Sequence, residues 1–199
     1  MLTVTSSVDR SAFHLRLVEM LKGKLDIPCE DDFKDAELLR IVAASVDTVE
    51  TETHRTLLNR TYRLDTWGFH TIHLPKPPFV ELTGTLVRYY DLDDAVQTLS
   101  PDAYSVTPDE PAFLWFRCED LYPITLSDER PYPVEVTYTA GYGTAHTDLP
   151  SSLLEGILLL AYHRFRNPET CNAGMPAACV HYLNPFYFRD HKAMAEVTA

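Results

Sequence analysis

Apolar positions recur at helical spacing near the start of the chain. In residues 9–25, "DRSAFHLRLVEMLKGKL", Phe13, Leu17, Met20, Leu21 and Leu25 fall along one side of a helix, and Gly23 and Pro28 mark its end. The spacing predicts a longer helix over 32–53. Leu38, Val42, Val46 and Val49 form its apolar stripe, and Leu39 and Ile41 widen it. Asp31 or Asp32 suits the cap of that helix, and the acids of its first turn suit its positive end. Ala43, Ala44 and Ser45 keep it slim enough for close packing.

From Thr61 the period changes to two. "TYRLDTW", "FHTIHL", "FVELTGTLVRYYD" and "YSVTPDEPAFLWFR" read as strands, with "PKPP" breaking the run. "DLDDAVQTL" reads as a turn and a short strand, and "VEVTYTA" alternates Val134, Val136 and Tyr138 against Glu135, Thr137 and Thr139. After Pro150 the helical period returns in Leu153, Ile157, Leu160, Ala161 and Arg164, and Pro168 closes it. Beyond that no period is visible, but "YLNPFYF" holds four aromatics: Tyr182, Phe186, Tyr187 and Phe188.

This order predicts an α+β fold. Its body is helical, with helices at 9–25, near 32–53 and near 150–166. A small antiparallel β-sheet insert spans 61–140, and an extended C-terminal tail follows. Residues 1–180 are expected to form one domain and 181–199 the tail.

Composition narrows the function classes. A chain of 199 residues that is 45% hydrophobic supports one solid core. No apolar run reaches the roughly 18 residues of a membrane span, so no membrane association is expected. "MLTVTSSVDRSAFH" lacks the pattern of a secretion signal, so the protein is expected to be made in the bacterial cytoplasm. The net charge of −12 opposes tight wrapping of nucleic acid, which needs clustered Lys and Arg. An acidic wall repels DNA and lets it slide, which is a different task.

"VTYTAGYGTAHTDLPSSL" runs from a strand through Gly141 and Gly143 into a helix. The third glycine of a dinucleotide fingerprint would fall on His146, and no Gly-Lys-Ser/Thr follows. A turn with positive backbone angles accounts for both glycines, with Thr147 or Asp148 as a cap. Cys29, Cys118, Cys171 and Cys179 lack the close pairing of a zinc site, although Cys171, Cys179 and His181 lie near one another. His70 and His73 would face opposite sides of a strand. Asp91, Asp93 and Asp94 lack the glycine and closing Glu of a calcium loop. No Gly-x-Ser-x-Gly elbow occurs. No catalytic residue, metal or cofactor is expected. The aromatic tail has two readings: it folds back to finish the core, or it anchors a partner, since aromatics and Arg dominate interfaces.

Several stretches together resemble a known family. They are "EDDFKDAELLRIVAASVDTVETETHRTL", "LPKPPFVEL", "LSPDAYSV" and "VEVTYTAGYG" followed by "LPSSLLEGILLLAYHRFRNPE". The set is similar to the head-tail connector, or adaptor, proteins of tailed bacteriophages and of phage-like gene transfer particles, over roughly residues 15–183. The resemblance implies a ring of about a dozen copies in the virion. The ring sits beneath the portal protein and receives stopper or tail proteins on its other side. Genome DNA passes through its channel without sequence-specific binding. It also implies that the Ala43-Ala44-Ser45 face packs against ring neighbours and that Tyr182, Phe186, Tyr187, Phe188 and Arg189 dock into the portal. Many relatives read Thr-Gly-Arg after the long helix where this chain has Thr53-His54-Arg55; histidine tolerates a left-handed helix end better than most residues. Two alternatives stay open: a small metal-dependent hydrolase using His70, His73 or the Asp91 cluster, and a monomeric cytoplasmic binding module.

Overall fold

The structure, a computed structural model, describes residues 1–7, 9–107, 110, 112–117, 124–168 and 174–188. It is mixed α+β and divides into two compact units. A strand unit is built from Met1–Ser7 and Asn59–Tyr142, and a helical unit from residues 9–58 and Gly143–Phe188.

The helical unit contains α1 (Ser11–Leu25), α2 (Asp35–Thr53), α3 (Ser151–Arg166) and α4 (Ala177–Leu183). α2 packs against α1 and α3, and α4 against α3. The apolar stripes meet in the centre: Phe13, Leu17, Leu21 and Leu25 of α1, Leu38, Val42, Val46 and Val49 of α2, and Leu153, Ile157 and Leu160 of α3 are all buried. Met20, expected in the α1 stripe, is half-buried; Val18 and the stem of Lys22 share its place.

Helix ends depart from expectation where side chains found better partners. α2 starts at Asp35, not 32, and neither Asp31 nor Asp32 caps it. Asp31 Oδ1 instead accepts the Phe33 N–H at 3.1 Å, closing a turn ahead of the helix. Asp35 and Glu37 bring negative charge to the first turn. At the other end His54 takes a left-handed conformation, φ 56°, so the helix stops without a glycine. A helix, Ala177–Leu183, runs across the expected boundary between domain and tail at residue 180. Cys179 and Leu183, four apart, bury one side of it. Seven residues are too few to show a period or to hold a helix alone, and packing supplies the stability.

The strand unit holds two antiparallel sheets. One has the order β1 (Leu2–Ser7), β2 (Arg60–Thr66), β8 (Val134–Ala140), β4 (Phe79–Tyr90) and β5 (Val96–Thr98). The other has the order β3 (Ile72–His73), β7 (Phe113–Phe116) and β6 (Tyr104–Thr107). β1 was not expected; its pairing with β2 joins residues far apart in sequence, as in Leu2 opposite Leu64. Alternation along β8 buries Val134, Val136, Tyr138 and Ala140, and these join Leu114, Phe116, Tyr104 and Val87 in one core. Tyr62 lies opposite Tyr138 and stacks on it at 5.6 Å. The Tyr138 hydroxyl donates to Pro75 O at 2.7 Å, which satisfies the polar end of a fully buried ring.

The two turn glycines serve different needs. Gly141 has φ 140°, and its N–H donates to Pro78 O at 2.9 Å. Gly143 is not in the left-handed region, so the shared explanation fails for it. A methyl group there would meet Asp148 Oδ2 at 2.2 Å. That carboxylate accepts the N–H groups of Thr144 and Ala145, each at 2.9 Å, and does not cap α3. The two hydrogen bonds hold its pKa below the ordinary aspartate value.

Candidate assembly surfaces

The slim face of α2 is divided. Ser45 points into the helical unit and is fully buried. Its Oγ donates to Ile41 O at 2.8 Å and accepts from Arg164 Nη1 at 3.3 Å. Arg164 Nη2 donates to Thr48 Oγ1 at 2.8 Å. Ser45 therefore serves α2–α3 packing inside its own chain. Ala44 is exposed and Ala43 half-buried. Arg164 falls in the helical period of its segment; its role as a link to α2 is tertiary and leaves no local signal.

The aromatic end folds back. Phe188 N–H donates to Thr53 O at 3.1 Å, and Arg55 Nε donates to Phe186 O at 2.7 Å. The Arg55 guanidinium also lies 5.9 Å from the Phe186 ring centroid. Phe186, Tyr187 and Phe188 are half-buried, while Tyr182 is exposed. Arg189 lies outside the described residues. These contacts dock residues 186–188 beside the left-handed turn at His54.

The same turn carries a charge network. Arg10 Nη1 meets Asp47 Oδ1 at 2.9 Å and Nη2 meets Glu50 Oε2 at 2.5 Å. Glu50 Oε1 accepts the Leu57 N–H at 2.9 Å. Burial pushes the Glu50 carboxyl above the ordinary glutamate range, although the Leu57 N–H and Arg10 oppose it.

The candidate metal and hydrolase residues are dispersed. His70 stacks on Trp67 at 4.6 Å, and its Nδ1 lies 3.0 Å from Gly68 O. His73 sits on β3 beside Phe113. Asp91 closes its own turn, accepting from the N–H groups of Asp93 and Ala95 and from Gln97. Asp94 pairs with Arg130, whose guanidinium lies 3.8 Å from the Tyr90 ring. Cys179 is buried, which raises its thiol pKa, whereas His181 is exposed and Cys171 lies outside the described residues. Among the described residues no three His, Cys, Asp or Glu could hold a metal ion together. Among them, too, no helix is long and apolar enough to cross a membrane.

Comparison with solved structures matches nearly the whole chain. A chain in the neck of an empty gene transfer agent (GTA) particle, computed with C6 symmetry, superposes with a TM-score of 0.75 at 21% identity, covering 95% of this chain and 96% of that one. The fold is that of a gene transfer agent neck chain. A chain of the virion of a native gene transfer agent particle gives a TM-score of 0.72 at 22% identity, with the same coverage of 95% and 96%. A chain of the neck of a native particle computed with C12 symmetry gives 0.71 at 21% identity over 95% and 96%. No family model and no curated protein matches the chain.

Proposed function

We propose that this chain is a structural head-tail connector of a phage-like particle and works without catalysis. The carrying observation is the whole-length likeness to chains of gene transfer agent necks and virions. In this reading residues 1–180 act as one connector module. About a dozen copies close into a ring through one repeated heterologous contact. Necks computed with C6 and C12 symmetry support a ring of that order. The ring lies between the portal protein and the stopper or tail proteins, and genome DNA crosses its channel. The net charge of −12 suits a surface that DNA passes without sticking.

Two surfaces carry assembly in this reading. Ala43 and Ala44 offer the ring neighbour a slim helix face. The chain end, from Tyr182 through Phe186, Tyr187, Phe188 and Arg189, faces the portal. Because Phe186 and Phe188 are held by Arg55 and Thr53, portal docking through them requires those bonds to open or the partner to bind over them.

Electron microscopy of particles tests the reading. The expected result is a collar at one capsid vertex that contains this chain and is lost when its gene is deleted. Intact infectious or gene-transferring particles without the chain would overturn it.

A further inference from the structure

The turn between α1 and α2 exposes Phe33 by 88%, more than any other large hydrophobic side chain among the described residues. A phenyl ring in water forfeits the burial that an apolar pocket would return. A single exposed apolar side chain is ordinary on a protein surface. Here the support beneath it is not. Lys22 of α1 is only 3% exposed, and its ammonium is committed to this turn. Nζ donates to Asp31 O at 2.8 Å and to Cys29 O at 3.3 Å, and it pairs with the Asp35 carboxylate at 2.5 Å.

On the other side of Phe33, the Lys34 ammonium lies 5.1 Å from the ring centroid of Phe165 on α3. The Phe33 N–H itself is held by Asp31 Oδ1. Residues on both sides of the ring are thus tied to helices of the same unit, and the ring points outward from a fixed turn. A buried lysine is costly unless its hydrogen bonds are met, and two partners of Lys22 lie in this turn and the third, Asp35, opens α2. The conformation is set before any partner arrives, which lowers the entropy lost on docking. Glu30, Asp31 and Asp32 precede the ring and Glu37 follows it, all exposed.

We infer that Phe33 is a docking knob that enters an apolar pocket rimmed by Lys and Arg on another protein of the particle. The inference rests on the connector reading. Charge selects the occupant: the chain has 17 Lys and Arg against 29 Asp and Glu, so an acidic turn meets repulsion on a second copy and attraction on a basic partner.

The test measures binding of the full-length chain to the purified portal protein and to the purified tail-side neighbour of the same particle, by calorimetry at low and high salt. Phe33→Ala should weaken binding to one of them by about 30-fold or more, the size of an interface hot spot. Its thermal midpoint should match the wild type, because the side chain is 88% exposed. A Glu30→Gln/Asp32→Asn variant should weaken the same binding less and flatten its salt dependence. Equal binding of Phe33→Ala and wild type to both proteins overturns the inference and leaves the connector reading standing. Loss of self-association alone would make a second copy the occupant and overturn the basic-partner assignment. A wild type that engages neither protein and enters no collar defeats the connector reading, and the inference with it.

Discussion

Leu183 of α4 lies against Gly156 of α3 so closely that a methyl group on Gly156 would come within 2.8 Å of Leu183 Cδ2. Glycine is a poor residue for a helix interior, and its place here is set by the helix that crosses it. Gly156→Ala gains about 1 kcal/mol of helix propensity and loses about 1–3 kcal/mol to overpacking. The expected outcome is a lower urea midpoint than wild type. Adding Leu183→Ala to Gly156→Ala should cost less than the two single changes summed, because the clash is removed with its partner.

The same contact fixes where the chain can be cut. Removing residues 180–199, which sequence alone suggests would spare the body, removes the fully buried Leu183. A chain ending at Cys179 should melt roughly 4–20 °C below one ending at Phe188, from a loss of about 2–5 kcal/mol at about 2–4 °C per kcal/mol. Portal binding compared between these two chains, by calorimetry, then assigns any remaining affinity to Tyr182–Phe188 or to what lies beyond.

Gly141 and Gly143 should fail for separable reasons. Gly141→Ala places a side chain at φ 140°, at a cost of about 1–2 kcal/mol. Gly143→Ala drives a methyl group into the Asp148 carboxylate. Asp148 Cβ would itself lie 2.5 Å from that methyl group, so Asp148→Gly, which removes it, should partly rescue Gly143→Ala and leave Gly141→Ala no better. Denaturant melts of the four chains decide it.

Glu50 gives a pH signature. Burial raises its folded-state pKa above the ordinary value of 4.5. The folded chain then holds its proton more tightly than the unfolded chain. This group therefore favours folding below pH 4.5, and its contribution is lost as pH rises through the folded value. His14 acts in the opposite sense, since burial and Arg10 lower its pKa from 6.5 and acidification costs stability there. Subtracting the pH profile of Glu50→Gln from that of wild type cancels His14 and isolates the fall with rising pH. Asp91, Asp94 and Asp148, all lowered from 3.8, act below this window.

The sequence carried the repeated, local features. The stripe Leu38, Val42, Val46 and Val49 is buried as its spacing predicts. The alternation in β8 sorts core from solvent. His54 ends α2 in the left-handed conformation that its small energetic tolerance allows. A periodic element announces itself because each turn or pleat repeats the same choice between water and core.

Tertiary structure decided the rest, because the deciding partner lies far along the chain. β1 exists only because β2 offers it an edge, as Val4 opposite Tyr62 records. Ser45 became a core hydroxyl because Arg164, 119 residues away, reaches it. Phe186 was drawn onto Arg55 from a segment with no period at all. The acids before α2 looked like helix caps until a buried Lys22 claimed the backbone of their turn and left Phe33 in water. Sequence thus set which segments would bury a face. Burial energy, polar satisfaction and chain closure across long separations set which faces met, and which stayed in water.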